Sequence, residues 1–313
     1  MRHKTVWVVA AIAVVLAACS GGNGGQKVAV VATPTGLAQA ASHTAAARTG
    51  HVDMAIDTVA NGVQSHFGAT GAFDAERHLF SMSLDLSSLL SASVRTPSSN
   101  SSGPSNSTLA STANVIATND VVYLDFPLFA RVVGVQTQWM SVPANTGAST
   151  FDVADPSAFL DFLRGAGGEV DDMGREQVRG VDTTHLHTTV RLRDALNTAS
   201  GADRDRLQRA IDQLSQNGSS LLDADMPTDV FIDDSGMVRE LVFDFSVPDS
   251  TGSTAAKSTL TVDLFDFGTD VGINPPPADQ VTDVTSKLSQ LPTTPASTLP
   301  TSPTPPPSTS PGG

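Results

Sequence analysis

The side chains best suited to chemistry gather in two places along the 313-residue chain. His185 and His187 stand two apart in VDTTHLHTTVRL, a stretch that reads as a β-strand, so both rings project from one face. Zinc is often held by such a pair, but it requires a third and usually a fourth ligand, and no second motif supplies them by spacing. The pair therefore reads as two polar side chains on a half-exposed strand. Asp223, Asp225, Asp229, Asp233 and Asp234 crowd a short window that suggests calcium. An EF-hand loop needs alternating acids, a central glycine and a closing glutamate. Here Pro227 interrupts, a strand follows, and Asp234 fits a turn before Gly236. No metal is assigned. Catalytic signatures are also missing: there is no Gly-x-Ser-x-Gly elbow, Ser-x-x-Lys or His-Glu-x-x-His. Gly165-Ala166-Gly167-Gly168 follows a helical stretch and precedes a strand, the reverse of a phosphate loop, so no cofactor is implied and no enzyme is expected.

The single cysteine is the most specific signal. Arg2 and Lys4 precede an apolar run from Val6 to Val15, near the length of a secretory signal and too short for a span of about 20 residues. The run ends in Leu16-Ala17-Ala18-Cys19, the lipobox at which bacterial lipoproteins are diacylglycerylated on sulfur and cut before the cysteine. One acyl chain binds a bilayer marginally and two hold stably, at about 0.8 kcal/mol per methylene. Residues 1–18 are thus expected to be a lipoprotein signal peptide. Cys19 is the expected anchor to the outer face of the cytoplasmic membrane, or cell envelope. Loss of the leader takes Arg2 and Lys4 with it, moving the formal charge from −14 to −16. A chain so acidic is a poor nucleic-acid binder, because phosphate recognition needs a basic footprint.

The elements that must position these groups are mostly strands. Met82, Leu84 and Leu86 alternate with polar residues, as do Leu241, Phe243 and Phe245, then Leu260, Val262 and Leu264. Val122 and Leu124 do the same in VVYLD. This period of two marks antiparallel strands with one apolar and one wet face. Asn119-Asp120 and Asp234-Ser235-Gly236 are hairpin signals. Helices are expected at 37–49, capped by Thr35 and stopped by Gly50, from Asp155-Pro156 to Gly165, and at about 203–216. The second carries Phe159, Phe162 and Leu163 on one face. About ten strands with three helices between them argue an α+β fold, a large antiparallel sheet with helices over one face. Residues 19–35 read as a flexible tether. Residues 87–112 and 291–313 are Ser/Thr- and Pro-rich, a mobile loop and a disordered tail around a folded domain at 36–290.

Several segments, taken in order, carry a resemblance. They are AASHTAAARTGHVDMAIDTVANG, VIATNDVVYLDFPLF with TQWMSV, DPSAFLDFLRGAGGEV, and RGVDTTHLHTTVRL. MPTDVFIDDSGMVRELVFDF follows, then Asp266-Phe267-Gly268 and Val271-Gly272-Ile273-Asn274-Pro275-Pro276. Over roughly 37–285 the set resembles the LolA-like lipid-carrier lipoproteins of actinobacterial envelopes, the LppX/LprG group. It departs in the 87–112 insertion, the Pro-rich tail and a histidine where the group often has an aromatic. The resemblance implies a strongly curved antiparallel sheet, an incomplete barrel with a few helices packed over its concave face. It also implies an apolar cavity for the acyl chains of a lipid or lipoglycan, carried or presented between envelope layers. The apolar residues of the four strands and the Phe159/Phe162/Leu163 helix named above would line that cavity. A transporter or other envelope protein would be the partner. The alternative is a noncatalytic structural or interaction lipoprotein with a filled core, whose tail binds the wall.

Overall fold

The computed structural model describes residues 30–60, 62–87, 112–144, 156–163, 166–201, 222–248 and 254–288, with positions 204, 205, 207, 208 and 211. The leader, Cys19, the stretch 88–111 and the tail beyond 288 lie outside them.

Twelve described strands build one sheet. A first meander runs β1 (Thr49–Ala60), β2 (Val63–Asp74), β3 (Leu79–Asp85), β4 (Thr112–Ala117), β5 (Val121–Asp125) and β6 (Trp139–Pro143). A second runs β7 (Asp171–Val178), β8 (Val181–Val190), β9 (Met226–Asp233), β10 (Val238–Pro248) and β11 (Thr254–Phe265). The first and last of these long strands pair, β1 with β11, and fuse the meanders into the order β12-β6-β5-β4-β3-β2-β1-β11-β10-β9-β8-β7. All ladders are antiparallel except that of the short β12 (Val281–Asp283), which returns beside β6 in parallel. Among the described residues the sheet runs from β12 at one edge to β7 at the other and is not closed into a barrel. The expected α+β class is thus what the chain adopts: a large, mostly antiparallel sheet with a few helices.

Those helices are α1 (Pro34–Ala45), α2 (Pro127–Val132), α3 (Pro156–Phe162), α4 (Leu192–Thr198) and α5 (Thr285–Leu288). Helix α1 starts and stops earlier than the sequence suggested. Thr33, not Thr35, is the cap, its Oγ1 accepting from the Gly36 amide at 3.1 Å, and Pro34 takes the first turn, where its missing N–H costs nothing. The alanine run unwinds before residue 49 because Thr49 and Gly50 are claimed by β1, opposite Asp74 and Phe73. Leu37, Ala40 and Ala41 face the sheet. At the helix end the Thr44 hydroxyl donates to Ala40 O and accepts from the Val238 amide, each at 2.8 Å. That bond serves a backbone group freed where β10 bulges against β9. Of the third expected helix, Leu207 and Ile211 are helical and buried.

The main core joins α1, α3 and α4 to β8–β11 and β1, around Leu37, Leu163, Leu186, Leu192, Val230, Leu241, Val262 and Leu264. A smaller one joins α2 and the Val284–Leu288 end to β4–β6, around Val115, Val122, Met140 and Val142. The meander between them is packed tightly backbone to backbone. A Cβ at Gly71 would stand 2.4 Å from Ser81 O, whereas one at Gly68 would meet nothing nearer than 3.6 Å. Gly71→Ala should therefore cost about 1–3 kcal/mol, read as a lowered Tm, while Gly68→Ala on the same strand stays near wild type.

Candidate functional site

The ladder registers put the apolar residues on one face. Val52, Met54 and Ile56 stand opposite Leu264, Val262 and Leu260, and Leu241 and Phe243 stand opposite Val262 and Leu260 in turn. On the other flank Met54 and Ile56 meet Ala69 and Phe67, and Ala69 and Gly71 meet Leu84 and Met82. The row continues through Val115, Leu124 and Met140. Directly paired residues share a face, so one apolar surface, here termed the inner face, runs from β9 to β6.

Burial on this face falls toward the same end on β1, β10 and β11, and on β3 beyond Met82. Val52 is buried while Met54 and Ile56 are half-buried; Leu264 and Val262 are buried while Leu260 is half-buried. Leu241 and Phe243 give way to Phe245, and Met82 gives way to Leu84. That end carries the β1–β2 hairpin, whose Val63 is 63% exposed. Between the two helix-covered cores lies a strip of strand residues alone, Ala69 and Met82 with Met54, Phe67, Phe80 and Leu84 packed on them. Met54 and Phe80 also touch the main core and Leu84 the smaller one, so the strip bridges the two.

The residues expected to line a cavity divide along this gradient. Phe159, Phe162, Leu163, Leu241, Phe243, Val262 and Leu264 interlock in the main core. Phe162 packs edge-on against both Phe159 and Phe243. Leu241 and Val262 expose 0% of their surface, so in this conformation they are packed against protein. Phe245 and Leu260 sit at the margin of that core, Met82 and Leu84 in the strip, and Val122 and Leu124 in the smaller core. Leu86 is half-buried just beyond β3. Met54, Phe67 and Phe80 belong with the strip and were not singled out from sequence. The signal of Met54 and Phe67 was faint because β1 and β2 carry Gly, Ala, Ser or Thr at many positions, although Val52, Met54 and Ile56 do alternate with Asp53 and Asp57.

The opposite, outer face is polar, and each aspartate of the supposed calcium window, on that face or beside it, has a partner. Asp223 pairs with Arg193, Asp225 with Arg191 at 2.5 Å, and Asp234 with Arg175 at 2.9 Å. Asp229 Oδ1 lies 2.9 Å from His185 Nε2 and 2.7 Å from His187 Nδ1. The two histidines thus do share a face, and their common neighbour is a carboxylate. Burial pushes the Asp229 carboxyl up, but hydrogen bonds from both rings outweigh it and leave it below the usual carboxylate range. Among the described residues no group of three or more His, Cys, Asp or Glu is placed to hold a metal ion, and no helix is long and apolar enough to cross a membrane. His185 also stacks on Phe231, with centroids 4.4 Å apart.

No family model and no curated protein matches the sequence. Among solved structures the chain is similar to LprF from Mycobacterium bovis, at 14% identity and a TM-score of 0.41, covering 78% of this chain and 96% of that one. It is likewise similar to lipoprotein LppX from Mycobacterium tuberculosis, at 10% identity and a TM-score of 0.44, covering 77% and 100%. At such identities and TM-scores the likeness carries no functional argument. The class the coordinates themselves define is an open antiparallel sheet with an apolar, helix-bearing face and a charged reverse.

Asp233 anchors the β9–β10 turn at the border of the two faces. It accepts from the Ser235 amide at 2.8 Å, the Ser235 hydroxyl at 2.6 Å, the Met237 amide at 3.0 Å and Arg239 Nε at 2.6 Å. Burial raises its carboxyl, yet these bonds prevail and hold it below 3.8. A folded value below the unfolded one stabilises above the unfolded value and is lost as pH falls through the folded one. Asp233→Asn should thus cost about 1–3 kcal/mol at pH 7, with the gap in Tm from wild type closing toward pH 3.

Proposed function

We propose that this chain is a noncatalytic binding module that holds acyl chains of a lipid or lipoglycan against the inner face of its sheet, anchored to the cell envelope through diacylglyceryl-Cys19. The observation that carries the reading is the apolar strip of Ala69 and Met82 with the half-buried Met54, Phe67, Phe80 and Leu84, which Leu260 and Phe245 continue at the margin of the main core and which bridges the two helix-covered cores. Flexible chains suit such a surface. Each methylene removed from water contributes about 0.8 kcal/mol, independent of direction, so aliphatic walls can hold a chain without fixing its conformation. The fully packed residues near Leu241 and Val262 form the floor that keeps the strip in shape. A transporter or another envelope protein would take the lipid onward.

Native mass spectrometry of the full chain carrying Cys19→Ala, purified without detergent, should reveal copurified lipid. Leu84→Trp and Leu260→Trp should lower that occupancy several-fold with little change in Tm. Phe243→Trp, which adds volume to a filled site, should lower Tm instead. Lipid-free protein that also fails to take up an added long-chain lipid would leave the filled-core lipoprotein as the answer. For the anchor, wild type should fractionate with membranes and Cys19→Ala should not.

A further inference from the structure

On the outer face the β1–β11–β10 register places three carboxylates abreast: Asp53 opposite Asp263, and Asp263 opposite Glu240. Like charges directly across a ladder repel, so this row needs compensation. It comes from an unexpected place. Arg179, at the tip of the β7–β8 hairpin, donates from Nη2 to Asp53 Oδ2 at 2.7 Å and from Nη1 to Asp263 Oδ2 at 3.1 Å. Its guanidinium also lies 3.8 Å from the centre of the Phe265 ring, which stacks on its other neighbour, His51. Yet β9, β10 and β11 separate β8 from β1. Four strand spacings amount to roughly 19 Å on a flat sheet, well beyond the reach of one side chain. The β7–β8 edge must therefore curl over the outer face, and Arg179 holds it there. The turn itself is under strain: Arg179 has φ 49° and Gly180 φ 80°, a left-handed pair in which arginine is disfavoured.

Beneath this hairpin sits Glu240. Asp263 flanks it on β11, with Asp53 beyond on β1. Phe231 stands opposite on β9, with Asp229 on the same strand. Glu176 of β7 and His185 of β8 bear on it from the hairpin, His185 Nδ1 lying 3.2 Å from Glu176 Oε1. Asp263 Oδ1 is buried and, among the described residues, receives no hydrogen from an N–H or hydroxyl group. A proton on Glu240 supplies one. Burial, the bond to Asp263 and the negative charges of Asp263 and Glu176 together push the Glu240 carboxyl up to about 7.

We infer that the β7–β8 hairpin is a pH-sensitive clasp, locked over the outer face by Arg179 on Asp53 and Asp263 and loosened when Glu240 gives the proton it shares with Asp263 to solvent. Ionised Glu240 faces Asp263 and Asp53 on the sheet and Glu176 on the hairpin. The repulsion between the sheet and Glu176 is relieved when the hairpin lifts. The other face of β8 carries Leu186 and Val190, both in the main core, so lifting this edge also bears on the inner face. The clasp does not depend on what the inner face binds.

The sign follows from linkage. A carboxyl that titrates near 7 when clasped, and lower once lifting the hairpin removes Glu176 and part of the burial, favours the clasped form at low pH and the released form as pH rises through 7. Between pH 6 and pH 8 the released fraction should rise about tenfold. Hydrogen exchange over residues 174–184 of the full chain, corrected for the intrinsic pH dependence of exchange, measures it. The expected result is about tenfold faster exchange at pH 8 than at pH 6 in wild type, and little difference in Glu240→Gln, which keeps a donor for Asp263 at every pH. Arg179→Ala should exchange fast at both pH values while peptides of β9 and β10 stay protected. Exchange that does not change with pH in wild type would overturn the clasp. So would an undiminished response in Glu240→Gln, which would move the switch to the His185/His187 pair.

Discussion

The structure depends above all on the β1–β11 ladder. Two meanders, each built from neighbours in sequence, become one sheet only because Thr49–Ala60 also pairs with a strand some two hundred residues later, from His51 opposite Phe265 to Ala60 opposite Ala256. Side chains on a strand alternate, so a slip of one residue in this single ladder would turn every apolar side chain of one meander to the charged side. The register is fixed from both faces at once. On the inner face Val52 meets Leu264 and Met54 meets Val262, and on the outer face Asp53 and Asp263 meet across a shared arginine. Thr58 and Ser258, paired further along, close a hydroxyl–hydroxyl contact of 2.9 Å.

Much of this was legible in the residues wherever the alternation is chemically strong. The strands at Met82–Leu84, Leu241–Phe245 and Leu260–Leu264 lie where period two put them, and both short turns, at Asn119-Asp120 and Asp234-Ser235-Gly236, do join antiparallel neighbours. What escaped was set by long-range contacts. The C-terminal β12 is three residues paired in parallel to β6, an arrangement no local pattern announces. The early start of α1 hung on a choice between two threonines two residues apart, and Pro34 decided it. The candidate site was half legible. Strong alternation pointed mostly to residues of the helix-covered cores, while half of the strip is drawn from β1 and β2, where small residues weaken the pattern. Whether an apolar residue is covered depends on where helices end, and that is a tertiary fact.

The charged reverse of the sheet follows from the same geometry. A face this broad, turned to water, has to carry polar residues in rows, and rows of carboxylates abreast are costly unless cations are threaded among them. With 18 basic against 32 acidic side chains in the whole chain, cations are scarce, and they are used in pairs of contacts. On that face Arg179 serves two aspartates; at its margin Arg239 serves Asp233 while lying over Phe267, and on the side of β8 that carries Leu186, Arg175 reaches both Thr184 and Asp234. At Glu240, burial and the charges of Asp263 and Glu176 instead push the carboxyl up to about 7.

Dimensions explain why an apolar strip is left between the cores. Twelve strands span about 53 Å from first to last at their usual spacing. Helix α1, twelve residues long, covers only about 18 Å along its axis, and the seven residues each of α3 and α4 cover about 10 Å apiece. Gathered over β8–β11 and β1, these helices fill one core, and α2 with α5 fills another. The described helices cannot also reach the middle of so wide a sheet. The face between them keeps the period-two chemistry of a buried surface, with Phe67, Phe80 and Leu84 turned inward, but with none of the described helices upon it. Under the proposed reading, this strip, with the sequence of a core and no described helix over it, is where acyl chains would lie.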